Sequence, residues 1–182
     1  MIKVLRSKSE LTPYFTTNLF ENGVGVVIDE SVDSSNYLAI NIDNYYHHIG
    51  VNPIPEIADL LIVGKESEQE YFHLFIVEMK NIKKSAYFDI NNIHGKFETA
   101  INDFMKIRYA DPFLNKKYNI VEFRLFFIHD AYHLKEKGFS DLEIKSFLSG
   151  TKMEILQSMA PFEFRGKYYL VEYELPNPLL SW

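Results

Sequence analysis

The chain has 182 residues, 47% of them apolar and 24% charged, with a formal charge of −6. That is one domain of ordinary globular composition, and 12 Tyr, 15 Phe and 1 Trp give it ample material to bury, so neither bulk disorder nor a charge-driven coat for nucleic acid fits. The absence of Cys excludes disulfides, thiolate zinc sites and Cys nucleophiles.

Met1 to Lys8 is basic but lacks the apolar core of a signal peptide. No apolar run approaches the ~18 residues of a membrane span. A cytoplasmic location without membrane contact is therefore expected. Glu10 to Glu21 can form a helix, with Asn22-Gly23 as its stop. Val24 to Ile28 is short and β-branched, a strand; Asp29 to Asn36 is polar, a loop; Tyr37 to Ile42 is a second strand. Ile57 to Val63 is an apolar run broken only by Asp59, and Tyr71 to Glu78 returns as another. With the polar segment between them they predict a hairpin of buried strands.

Apolar residues then recur at Ile93, Phe97, Ala100, Ile101, Phe104, Met105 and Tyr109, which predicts an amphipathic helix over 91–109. Asn119 to His129 is a further strand. Ser140-Asp141-Leu142-Glu143 and Thr151-Lys152-Met153-Glu154 both fit the capping box, so a short helix is expected after each. Phe162 to Glu174, with Arg165-Gly166-Lys167 at its centre, predicts a closing hairpin. No repeat or linker interrupts the chain, so residues 1–182 are expected to form a single α/β domain with a mixed central β-sheet flanked by helices.

Charge is unevenly spread. Residues 1–79 hold 4 basic and 12 acidic residues, whereas residues 80–124 hold 9 basic and 5 acidic. Carboxylates that hold a metal beside a patch that grips phosphate would give this pattern; so would ordinary solvated faces.

The informative constellation is Asp59 on one strand and Glu78-Met79-Lys80 at the end of the next. Strand side chains alternate faces, so Glu78 and Lys80 share a side and hairpin pairing can set Asp59 beside them. Charges at the edge of an apolar sheet are costly unless they neutralise one another or hold a metal. Carboxylate oxygens and water suit Mg²⁺.

This pattern resembles the PD-(D/E)XK nuclease superfamily, whose motif is an Asp on one strand, an apolar strand ending in Glu-x-Lys, and a helix packed on the sheet. Pro55-Glu56-Ile57-Ala58-Asp59 through Lys80 and the helix after it carry the likeness, roughly a third of the chain. The resemblance implies a restriction-endonuclease-like fold and a metal-dependent nuclease, with a DNA endonuclease of restriction or repair type favoured. Asp59 and Glu78 would bind Mg²⁺, or Mn²⁺ in its place. Met79 would lend its backbone carbonyl, and Lys80 would assist the attacking water. The family's Pro directly before the Asp is Ala58 here. The resemblance also implies one more carboxylate from the N-terminal part, with Glu21 and Glu10 as candidates and Glu21 preferred.

Lys83, Lys84 and Lys96 follow the motif and are candidate phosphate contacts, as are Lys106 and Arg108; all could equally be solvated. The expected partner is nucleic acid, DNA ahead of RNA, and a homodimer would place two active edges on two strands. The alternative is a catalytically inactive nuclease-fold module that binds nucleic acid or a protein. His47-His48 and the pair His129 and His133 are read as turn residues rather than metal ligands. Tyr45-Tyr46 and Tyr168-Tyr169 are read as strand aromatics rather than base-stacking platforms. No Gly-rich phosphate loop and no Gly-x-Ser-x-Gly elbow is present.

Overall fold

The computed structural model describes residues 1–66, 69–81, 89–130, 133–135 and 137–182. The chain opens with α1 (Ile2–Arg6) and a 3₁₀ turn at Thr12–Tyr14, then β1 (Phe15–Thr16), β2 (Phe20–Glu21), β3 (Val24–Gly25), β4 (Val27–Ile28) and β5 (Tyr37–Asn41). Next come α2 (Ile42–His48), β6 (Leu60–Lys65), β7 (Tyr71–Lys80) and α3 (Ile90–Thr99), which runs on as a π-helix over Ala100–Arg108. The remainder is α4 (Ala110–Leu114), β8 (Asn119–His129), α5 (Asp141–Leu148), α6 (Lys152–Gln157), β9 (Phe162–Phe164), β10 (Lys167–Tyr169), β11 (Val171–Glu174) and β12 (Leu179–Leu180).

Six strands form one mixed sheet in the order β1-β5-β6-β7-β8-β11. The β5-β6-β7 segment is an antiparallel meander, and β8 and β11 then add in parallel. The two longest strands, β7 and β8, lie side by side inside the sheet, and the apolar run of β7 is the mark of a strand buried on both faces. Alternation sends Leu61, Val63, Leu74 and Ile76 to one face, under the long helix and the flanking helices. It sends Leu60, Ile62, Phe75, Val77 and Met79 to the other, under the small strands near both ends of the chain. Among the described residues no helix is long and apolar enough to cross a membrane.

The helix expected over Glu10–Glu21 does not form. Pro13 sits in the 3₁₀ turn, and the following side chains capture backbone groups that a helix would need. Thr16 Oγ1 accepts from Asn18 N at 3.0 Å and Asn18 Oδ1 from Phe20 N at 3.3 Å. Asn22-Gly23, expected as a helix stop, is the two-residue turn of the β2–β3 hairpin, with φ of 50° and 82°. Two left-handed residues in succession match the right-handed twist of flanking strands, which is why Asn-Gly favours such turns. Arg165-Gly166 does the same between β9 and β10, with φ of 51° and 76°. The single strand expected over Val24–Ile28 is two short ones with different partners.

The expectation for 91–109 holds for position and face, but the second half is wound more loosely. The wider turn brings Asp103 and Arg108, five residues apart, into an ion pair of 2.7 Å. Asp103 also accepts from the buried Tyr46 hydroxyl at 2.5 Å. The Ser140 capping box is complete. At the second site Glu154 takes the N–H of Gly150 at 2.6 Å, while the Thr151 N–H goes to Leu148.

Candidate functional site

The β6–β7 register settles where the two carboxylates stand. Leu60 pairs with Val77, so Asp59, one residue before β6, stands opposite Glu78. Both project to the face that carries the long helix. Asp59 is fixed from two sides: its carbonyl accepts from Ile42 N at 3.1 Å, and its Oδ2 accepts from Met79 N at 2.6 Å. Met79 itself turns its side chain into the apolar cluster on the opposite face.

Glu78 is 0% exposed. A carboxylate so placed needs a counter-charge. Lys96 of α3 supplies it, with Nζ 2.9 Å from Oε1 and donating to Oε2 at 3.1 Å. The first of these lacks hydrogen-bond geometry, so Oε1 is paired electrostatically but keeps an unsatisfied acceptor. Lys80 Nζ lies 3.6 Å from the same oxygen, and its side chain is 41% exposed.

Electrostatics follow from this packing. Burial, then the neighbouring Glu78 carboxylate, pushes the Asp59 carboxyl from 3.8 up to about 8; the Met79 N–H and Lys96 oppose the shift. Burial also raises Glu78, against the pull of Lys96. Burial by itself would lower Lys96, but Glu78 overrides it and holds the ammonium above its ordinary value. Burial, and then the carboxylate beside it, thus hold a proton on Asp59 near neutral pH.

Asp59 opens onto a cavity of about 290 Å³, whose lining includes Glu21, Asn41, Asp43, Asn44 and Met79. Glu21 raises both Asp59 and Glu78 electrostatically, so it belongs to this end of the sheet; Glu10 instead acts on Tyr109. Glu21 arrives on the β2–β3 hairpin and not on the expected helix. Asp43 is placed by the first turn of α2, where the Asn41 side chain caps by accepting from Asn44 N at 2.8 Å. Among the described residues no three His, Asp or Glu side chains converge tightly enough to hold a metal by themselves. Two carboxylates suffice for Mg²⁺, which keeps most of its waters; Asp59 would release its proton to solvent and ligate a hard cation together with the unsatisfied Glu78 Oε1.

Several expected roles change. Lys96 is 8% exposed and committed to Glu78, so it does not contact phosphate from the surface. The stripe Ile93, Lys96, Phe97, Ala100 already placed it on the buried side of the helix, a signal legible in the sequence. Lys83 and Lys84 lie outside the described residues. Lys106 pairs with Glu163 at 3.3 Å, and Arg108 is held by Asp103. His47 and His48 close α2 and engage carbonyls one turn back. His129 ends β8 and is 1% exposed; burial pushes it down to about 4, so it stays neutral. His133 sits beyond that strand with φ of 56°, so the two do not share a helix face. Tyr45 and Tyr46 are buried in an aromatic cluster with Phe104.

No family model matches the chain, and no curated protein or solved structure matches it either.

Proposed function

We propose that this chain is a metal-dependent nuclease of restriction-endonuclease-like fold, hydrolysing phosphodiester bonds of DNA by preference. One observation carries the reading: Asp59 and Glu78 meet across paired strands, with Lys80 within 3.6 Å of Glu78. An apolar sheet edge gains no stability from two carboxylates that burial pushes upward, so their placement there suits a cation. Asp59, Glu78 and the Met79 carbonyl would hold Mg²⁺ or Mn²⁺, and Glu21 would add negative potential from the cavity wall. A cation held there supplies Lewis acidity toward the phosphate and an activated water.

The chain's own residues do the rest. Lys96 opposes the burial that pushes the Glu78 carboxyl upward. The Met79 N–H fixes the Asp59 carboxylate plane. Lys80, more exposed than Lys96 and only loosely paired with Glu78, would stabilise charge that develops on the phosphate.

The test is cleavage of plasmid, single-stranded DNA, branched DNA and RNA with Mg²⁺, Mn²⁺ or EDTA. Cutting that needs the metal and is lost in Asp59→Ala and Lys80→Ala supports the reading. Absence of cutting, in a folded protein that binds neither cation, sinks it.

A second reading has its own observation. Glu78 is fully buried, and neither it nor Lys80 lines the cavity at Asp59. A carboxylate locked onto Lys96 suits an inactive nuclease-fold module whose ion pair is architectural. Calorimetric titration separates the two: heat of Mn²⁺ binding that disappears in Asp59→Asn belongs to the enzyme, and no heat belongs to the module.

A further inference from the structure

At the far end of the sheet the chain builds a second site of opposite charge. Tyr71 pairs with Asn119 and Lys80 with His129, so the start of β8 lies ~30 Å along the strand from the Glu78 end. There a cavity of about 280 Å³ opens between the α4–β8 loop and the β9–β10 hairpin. Its walls include Lys116, Arg165, Lys167, Tyr118, Tyr169 and Asn119, and no lining residue is a carboxylate. In a chain of net charge −6 that is a marked local excess of cations.

Arg165 makes the site a built one. Its guanidinium donates to the carbonyls of Phe113, Tyr118 and Asn115 at 2.7, 2.8 and 2.8 Å. These bonds tie the hairpin turn to the loop and fix the cation in the cavity wall. They use three of the five N–H donors of a guanidinium. Among the described residues Arg165 has no carboxylate partner, and Lys116 and Lys167 form no ion pair. The nearest hairpin carboxylate, Glu163, is already taken by the Gly166 N–H at 2.7 Å and by Lys106. Lys117 adds a fourth cation beside the cavity, with Nζ 4.8 Å from the centre of the Tyr118 ring. A half-buried cation without a counter-charge is a costly arrangement that an anion relieves.

We propose that this cavity binds the phosphodiester backbone of a single-stranded nucleic acid. Lys116 and Lys117 stand on the loop and Lys167 on the hairpin, so cations reach the cavity from both segments that wall it. That suits successive phosphates. The half-exposed Tyr169 offers a ring at the wall, and aromatic rings beside a basic groove are how single strands are held without sequence reading. A cavity of 280 Å³ admits a phosphate with its sugar, but not a duplex. The site stands independently of hydrolysis at Asp59.

The experiment is fluorescence anisotropy of a labelled oligothymidylate with the full chain in EDTA, across a salt series. Lys116→Glu with Lys167→Glu should weaken binding at least tenfold. It should also flatten the log–log salt slope by about 1.4, the value for two phosphate contacts on a single strand. Both side chains are exposed and unpaired, and thermal melting monitors folding of the variant. The same double reversal at Lys137 and Lys152, on the α5–α6 side, should change affinity little. Unchanged binding in the first variant overturns the proposal, as does a parent chain that binds no oligonucleotide. An equal loss in the second variant overturns it too, since net charge would then explain the effect. Displacement of the oligonucleotide by inorganic phosphate at equal phosphate concentration would make this a free-anion site and likewise overturn it.

Discussion

Asp59→Asn should make the protein more stable near neutral pH while abolishing the metal-dependent cleavage proposed for it. The Asp59 carboxyl is pushed from 3.8 up to about 8, so between those values the folded chain keeps a proton that the unfolded chain releases. Folding stability contributed by that proton is complete below about pH 4 and is lost as pH rises toward 8. Each pH unit in the window is worth about 1.4 kcal/mol, or about 4 kcal/mol from pH 4 to pH 7. Asp59 keeps some contact with water, and screening brings the expected difference to roughly 2 kcal/mol. Asn has the same shape, can still accept the Met79 N–H, and does not titrate. Urea unfolding in EDTA at a series of pH values should therefore give parent and variant equal stability near pH 4. Their curves should diverge as pH rises, with the variant the more stable. Parallel profiles, or a variant less stable at pH 7, would refute the electrostatic account of the site. Adding Mn²⁺ above pH 7 should raise the stability of the parent and leave the variant unmoved.

Removing Lys96 leaves Glu78 buried without a counter-charge, so Lys96→Ala should cost about 3–5 kcal/mol in urea unfolding, whereas Glu78→Leu with Lys96→Met should recover most of the loss. Recovery would fail if the pair were needed for more than mutual neutralisation. Arg165→Ala removes three bonds to backbone carbonyls and should cost about 2–4 kcal/mol; Arg165→Lys should rescue little, because an ammonium cannot span the three acceptors. Gly64→Ala would set a Cβ 2.6 Å from the Trp182 ring and should lift that ring off the sheet, at about 1–3 kcal/mol and with a shift in tryptophan emission. Unchanged emission would show that Trp182 does not lie on Gly64 in solution.

Much of this architecture is legible in the order of residues. Runs of Val, Ile, Leu and Phe mark the inner strands because both faces are buried, and β8 spans Asn119–His129 as expected, with its continuous apolar run in the buried second half. The helical stripe from Ile93 to Tyr109 identifies the face that packs, because its spacing encodes burial directly. Asp59 and Glu-x-Lys stand out as charges in runs that otherwise exclude them, and strand alternation places them on one side.

Other features wait on the tertiary structure. Glu10 to Glu21 has helical composition, but Thr16 and Asn18 bind the backbone locally and the Asn-Gly turn pairs with strands on either side. A short segment cannot announce which of these wins, since the outcome depends on what it packs against. The role of Lys96 is decided by a contact across 18 residues: only a helix laid on the sheet shows that its ammonium meets Glu78. The cations at the far end of β8 come from segments about 50 residues apart, and folding alone gathers them into one cavity. Sequence determines which residues must be buried and with what period; three-dimensional packing decides which buried charges find each other, because that pairing is a matter of distance in space and not along the chain.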